Sequence, residues 1–334
     1  MAARVVLIAC VAVAEHDQLF KRAFRVPEHA AGELEAVLPK ALFEAIDAGS
    51  LRLVPSDVVD QRLGERFTDA LFSASFRGTP GYVWLLLEHQ SEPDRWMALR
   101  VLDYMVRSWT ELLRREPERK RLPPVVCVVV HHGERGWTAP VKLHELVEGI
   151  REIPALGGLV PDFEIIVDDL VTRSDEGLKG RPLGTFPKVV LWALRDARVI
   201  RRFYDHLVAW AEELVRLARE SPEDTATVMR YVWTVVGDES FENIHKRIIE
   251  VAPATENVMA SVAEQLIQRG KVQGRAEGKA EGKAEAVLSV LEARGLIITA
   301  EQRAQIVGCQ DIVELDRWLR LAATTSSAAD LFSH

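Results

Sequence analysis

Hydrophobic positions fall into short unbroken runs in the first half of this chain and into spaced, periodic sets in the second. Tyr82 to Leu87 is a continuous apolar run bounded by polar and turn residues, the pattern of a strand buried on both faces. Arg66 to Phe76 also has strand composition, and Arg77-Gly78-Thr79-Pro80-Gly81 between the two is a turn cluster. A hairpin closing with Phe76 opposite Gly81 places Asp69 directly opposite Glu88. Val125 to Val130 and Phe163 to Val167 predict two further buried strands, the second running into Asp168-Asp169. Glu92 to Arg115 spaces Trp96, Leu99, Met105, Trp109 and Leu112-Leu113 as one face of a helix, started after Pro93 and packed on the sheet. Strand, helix, strand in that order predicts an α/β fold with a central mixed sheet and helices on both faces.

From Pro187 onward the patterning is helical. Lys188 to Glu220 reads as one long amphipathic stretch, and Pro222 with Glu223 and Asp224 opens a helix running to Val236. Ala286 to Gly295, Thr299 to Val307 and Asp311 to Leu321 predict three short helices, with Thr299 and Gln302 spaced as a capping box. Gly270 to Glu285 differs in kind. It repeats every four residues, with Gly270, Gly274, Gly278 and Gly282 in register. Each glycine costs a helix about 1 kcal/mol relative to alanine. On a helix, Lys271, Arg275, Lys279 and Lys283 would form one row and Glu277, Glu281 and Glu285 another, and like charges at that spacing oppose an isolated helix. Two readings stand: a solvated flexible tether, or a glycine-lined helix that associates with a second copy through its charged rows. The charge density excludes a membrane glycine motif.

The end of the Tyr82 run carries the candidate chemistry. Glu88 and Gln90 follow it directly and, two residues apart on a strand, project to the same side. Opposed residues on antiparallel strands share a face at roughly 5 Å between Cβ atoms, so Asp69 joins them. Two carboxylates that close repel unless a cation lies between them, and Mg²⁺ takes one or two carboxylates plus waters and phosphates. One acidic residue at a strand end is ordinarily a solvating group; three polar groups converging on one face make a metal site the better reading. His89 points to the other face and reads as structural. Asp94 and Arg100 read as braces of the strand end, and His16 or Asp17 could reach the site from the first helix.

The set Asp69, Glu88-x-Gln90 looks like a variant of the PD-(D/E)xK nuclease site, with Gln90 where lysine usually stands. His16-Asp17 with Phe20-Lys21 and Phe24, then LLLEHQSEPD followed by Met97 and Leu99-Arg100, then Leu122-Pro123-Pro124-Val125 leading to His132-Gly133 and Trp137, occur in that order. Together they resemble the recombination-promoting nuclease and transposase family of bacteria, closely over Glu15 to Leu170 and loosely beyond. The resemblance implies a PD-(D/E)xK fold, DNA as substrate and Mg²⁺-dependent endonuclease activity, with Mn²⁺ as a substitute. By position, Asp69 and Glu88 would be the metal ligands and Gln90 the third active-site residue. Glutamine cannot supply the charge of lysine, which leaves the general base open. The expected organisation is an apolar N-terminal extension at 1–14, a nuclease-like domain at 15–185, a helical extension at 186–269, the repeat at 270–285 and a small helical module at 286–334. The competing class is a nucleic-acid-binding, self-associating protein whose nuclease site has decayed.

Composition narrows this only a little. With 334 residues, 48 % of them hydrophobic, the chain can bury a sizeable core. Cys10, Cys127 and Cys309 are too scattered for a disulfide framework, which points to a reducing cytoplasm. The net charge of −8 does not advertise a nucleic-acid binder, but a nuclease needs only a basic groove. Arg114 to Arg121 is the local basic cluster, and a solvated loop is its simpler explanation. The apolar run Val5 to Ala14 is too short for a secretory signal or a spanning helix. His131, His132 and His144 lack the spacing of a zinc motif.

Overall fold

A computed structural model of the chain describes residues 15–55, 69–88, 93–236 and 241–332. It divides into two compact units, Met1–Met259 and Ala260–His334. The first is mixed α/β. Helices α1 (residues 15–24), α2 (Pro27–Val37) and α3 (Lys40–Phe43) lead into β1 (Ile46–Leu53), β2 (Asp69–Phe76) and β3 (Thr79–Glu88). Helix α4 (Met97–Arg115) crosses over to β4 (Val125–His131), and β5 (Ile166–Asp169) completes a sheet of order β1-β2-β3-β4-β5. The first three strands are antiparallel neighbours, while β3, β4 and β5 run parallel. A five-stranded mixed sheet flanked by helices is the expected fold class, consistent with a nuclease-like fold.

The pleat explains why β3 is apolar at every position from Tyr82 to Leu87. Val83, Leu85 and Leu87 enter one core with Phe72, Val128 and Val130, beneath α1, α2 and the later helices. Trp84 and Leu86 enter the other with Leu71, Cys127 and Val129, beneath α4. With β2 on one side and β4 on the other, β3 meets water on neither face. β1 has no apolar alternation, IDAGSLRL, and was not legible as a strand; its pairing with β2 holds it.

The hairpin register differs from the sequence expectation. Arg77 (φ 48°) and Gly78 (φ 85°) alone form the turn, both in the left-handed region that a type I′ hairpin requires. Thr79-Pro80-Gly81 therefore belongs to β3, Phe76 pairs with Thr79, and Asp69 pairs with Leu86 rather than Glu88. Pro80 is tolerated because β4 joins β3 only from Tyr82 onward, so its missing N–H faces no ladder. A slip of two residues preserves the parity of the pleat, so Glu88 stands two positions beyond the partner of Asp69.

Helix α4 also turns a face other than the expected one to the sheet. Met97, Ala98, Val101, Tyr104 and Leu112 are buried, whereas Trp96 and Leu99 are about half exposed, at 51 % and 48 %. The helix carries apolar residues on both faces, so spacing alone could not choose between them. The stacking of Tyr104 on Trp84, with ring centroids 5.4 Å apart, helps fix its rotation.

The stretch read as one pattern from Lys188 to Glu220 is three helices, α6 (Thr185–Asp196), α7 (Ile200–Leu207) and α8 (Ala211–Glu220), after the short α5 (Asp175–Lys179). The breaks let Phe203 and Trp210 both stack on Trp192, at 5.1 and 5.5 Å. α9 (Pro222–Val235) and α10 (Phe241–Val251) close the first core. α11 (Glu256–Ala293) includes the glycine repeat, and α12 (Ala300–Gly308) and α13 (Ile312–Ala322) follow. In the second unit Ala280, Ala284, Val287 and Leu291 of α11 pack with Ile306, Leu315 and Trp318. Thr299 and Gln302 form the expected capping box of α12.

Candidate active site

Glu88 is the last residue of β3 and one of the few buried carboxylates, 3 % exposed. It lies on the α4 side of the sheet by the parity of Trp84 and Leu86. Its Oε2 meets Nη1 of Arg100 at 3.4 Å, beyond the 2.7–2.9 Å of a tight charge-assisted bond. The same Nη1 donates to Oδ2 of Asp94 at 2.7 Å, and Nη2 reaches the Tyr104 hydroxyl at 3.5 Å. Asp94 Oδ1 accepts from the backbone N–H of Trp96, so this carboxylate both ties the turn that leads into α4 and holds Arg100. Asp94 and Arg100 thus converge on the strand end. Asp69 is the first residue of β2, opposite Leu86. Gln90 and His89 lie outside the described residues.

Across the sheet, Glu88 is level with His131 of β4, and His131 with Asp169 of β5. His131 Nε2 bonds the Arg135 carbonyl at 3.0 Å, and its ring meets Trp137 edge-on. Asp169 accepts from the backbone N–H of Trp137 at 2.8 Å. These contacts fold the loop after β4 back over the carboxyl end of the parallel strands. His144 is turned away, bonding the Val160 carbonyl.

His16, fully within the protein, is bound instead to Tyr231, through Nδ1 and the hydroxyl at 2.8 Å, and packs against the ring of His132 at 4.7 Å. The backbone N–H of His132 points to the Glu88 carbonyl at 3.5 Å. His16 therefore ties α1 to α9 and to the end of β4, and burial drives the Tyr231 phenol well above its ordinary pKa. Asp17 is half-buried beside it. In the basic cluster, Arg114 and Arg115 both bond Glu111, and Arg119 bonds Glu116. Those two arginines hold the exposed Glu111 carboxyl down to about 2. Much of the cluster's charge is thus locally compensated.

Two buried ionic groups were invisible in the sequence. Asp168, on the other face of β5 from Asp169, receives two bonds from Arg181, which also bonds Glu33 of α2 at 2.5 Å. Burial, reinforced by the charge of Asp168, pushes Glu33 up to about 8 despite Arg181. Asp168 is itself buried, yet the bonds and charge of Arg181 hold it below the usual range. Asp175, Asp196 and His206 form the second group; among the described residues they alone cluster as three metal-type ligands within 4.8 Å. Their common point is already filled. Nη2 of Arg195 bonds Asp175 at 2.5 Å, Asp196 at 2.6 Å and His206 at 2.9 Å, so a metal ion would have to expel a buried guanidinium. Pairs 148 residues apart in sequence, such as Glu33 and Arg181, leave no local signal.

A five-stranded mixed sheet flanked by helices makes this an α/β protein consistent with a nuclease-like fold. The chain belongs to the family described as "Putative transposase, YhgA-like", whose model matches residues 14–225. It is similar to the recombination-promoting nuclease RpnC of Escherichia coli K12, 30 % identical over 206 residues, which are 61 % of this chain and 64 % of RpnC. The recombination-promoting nuclease RpnD of Escherichia coli O157:H7 is 26 % identical over 75 % of this chain and 93 % of its own length. The inactive recombination-promoting nuclease-like protein RpnE of Escherichia coli K12 is also 26 % identical, over 76 % of this chain and 82 % of its own. No solved structure matches. Among the described residues, no helix is long and apolar enough to cross a membrane.

Proposed function

We propose that this protein is a metal-dependent endonuclease that hydrolyses phosphodiester bonds in DNA with weak sequence preference, acting in recombination or on mobile or foreign DNA. The observation that carries the reading is Glu88, a carboxylate held at 3 % exposure at the end of the central strand, within two ladder positions of Asp69. Asp69 and Glu88 offer the hard oxygen donors that Mg²⁺ or Mn²⁺ takes, whereas the cage of Asp175, Asp196 and His206 is filled by Arg195. The bound ion would polarise the scissile phosphate and lower the pKa of its water. Asp69 and Glu88 would hold it, and Gln90 would orient the water or a phosphate oxygen. Names of the similar proteins support a nuclease acting in recombination.

The second reading, an inactive nucleic-acid-binding and self-associating protein, is favoured by one finding: RpnE, equally similar, is called inactive. Against it, Asp69, Glu88 and Gln90 are all present in this chain. Plasmid cleavage with Mg²⁺, with Mn²⁺ and with EDTA decides. The nuclease reading expects nicking with either metal, none in EDTA, and at least about a hundredfold loss in Glu88→Gln. Cleavage that survives EDTA or Glu88→Gln would remove it.

A further inference from the structure

The proposed site lacks a positive charge where a lysine usually stands, because Gln90 is neutral. A phosphodiester gathers negative charge as it is attacked, and a fixed cation nearby is among the largest contributions an active site can make. The structure brings one from elsewhere. Arg100 lies on α4, twelve residues past Glu88, and its guanidinium stands 3.4 Å from the Glu88 carboxylate. Asp94 grips the same nitrogen at 2.7 Å, and the Tyr104 hydroxyl meets the other at 3.5 Å. Tyr104 is in turn stacked on Trp84, which belongs to the strand that carries Glu88. The guanidinium is therefore oriented from three directions, by the turn that leads into α4, a strand end and an aromatic stack. Its side chain keeps 24 % exposure, enough to meet a ligand at the strand end.

We propose that Arg100 supplies the positive charge that Gln90 cannot, binding an oxygen of the scissile phosphate beside the metal held by Asp69 and Glu88. The assignment rests on the nuclease reading above. Two opposed consequences follow from the geometry. Arg100 and the metal ion share the charge of Glu88, so removing the guanidinium strengthens metal binding. The same removal strips the phosphate of a cation, so cleavage falls. A merely structural arginine would weaken both, because a disordered strand end holds neither ion nor substrate.

The experiment measures Mn²⁺ affinity by calorimetry and plasmid cleavage for the full-length wild type, Arg100→Gln, and Arg100→Gln combined with Gln90→Lys. Melting curves accompany each variant. Expected for Arg100→Gln are Mn²⁺ binding tighter by several-fold and cleavage lower by about a hundredfold or more. Lysine at position 90 restores at least about a tenth of the lost rate, since it returns a charge to the position where the resemblance expects lysine. Arg100→Lys, which keeps charge but not the fork, stands in should Arg100→Gln fail to fold, and retains more activity than an uncharged side chain would. Loss of metal affinity together with cleavage, or no recovery with Gln90→Lys, overturns the assignment. Wild-type cleavage matched by Arg100→Gln overturns it alone, leaving the nuclease reading intact. A wild type that cuts no DNA in either metal overturns both.

Discussion

At the scale of single residues, two carboxylates make opposite predictions. On the proposed reading, replacing Asp69 by Asn should abolish cleavage while leaving the metal-free protein as stable as wild type or more so, because a second ligand carboxylate near Glu88 would add a like charge that the ion relieves. The thermal shift on adding Mn²⁺ should largely vanish in the mutant. A lower melting temperature in EDTA with the full metal shift retained would instead make Asp69 a structural residue. Glu33 is coupled to stability rather than to the site. Burial raises its folded pKa from the ordinary 4.5 to about 8, so the native state holds a proton the unfolded chain has released across that window. Stability from this group therefore falls as pH rises from about 4.5 to about 8. Asp168 works the other way, losing its contribution only under acid conditions, because Arg181 keeps its pKa low. Glu33→Gln keeps a neutral hydrogen-bonding group in place and should flatten the decline of melting temperature through the neutral range. A mutant profile parallel to wild type would show that Glu33 is ionised in the fold.

At the scale of elements, glycine does different work in two helices. In α2 a Cβ on Gly32 would stand 2.2 Å from the Pro182 carbonyl oxygen, so the helix packs where only glycine fits. Gly32→Ala must push the two segments apart, near the Glu33 and Arg181 pair, and should cost about 1–3 kcal/mol, read as a lower denaturation midpoint. In α11 the space beside Gly274, Gly278 and Gly282 is open among the described residues, with nothing within 4 Å of an added Cβ. Alanine at Gly274 and Gly278 should each stabilise that helix by about 1 kcal/mol, visible as more helical circular dichroism and a higher melting temperature. The sequence argued against a lone helix here, and the structure has a helix of 38 residues. Its C-terminal part is held by the second core, and Lys283 pairs with Asp316 of α13. Tertiary burial offsets the poor local propensity.

At the scale of the whole molecule, the repeat remains the element whose role a mass measurement can assign. A chain ending at Ile267 retains all the residues of the first unit, Met1–Met259. The helical backbone of residues 256–293 favours an association helix over a flexible tether, so truncation should lower the number of chains per particle measured by light scattering at unchanged cleavage rate per site. An unchanged number of chains per particle would return the repeat to a spacer. On the nuclease reading the outcome also bears on DNA: a dimer would set two sites on one duplex, whereas a monomer would nick one strand at a time.

Much of this architecture was legible locally because its signals are local. Unbroken apolar runs named β4 to within one residue and the apolar part of β3 from Tyr82 to Leu87, though not its first three residues; Thr299 with Gln302 marked the start of α12, and Pro222 with its acidic neighbours marked α9. The alternation of a strand put Asp69 and Glu88 at positions of the same parity, and a register slip of two residues could not undo it. What the tertiary structure alone decided were choices among locally equal alternatives. Arg77-Gly78 rather than the whole turn cluster closed the hairpin, because strand pairing recruited Thr79-Pro80-Gly81. Helix α4 had apolar residues to offer on both faces, and Trp84 drew Tyr104 inward, which carried Arg100 to Glu88. The pairings of Arg181 with Glu33 and Asp168, and of Arg195 with Asp175 and His206, join residues that meet only once the helices have docked. Periodicity records which way each segment prefers to face; it holds no information about which distant charge will be waiting there.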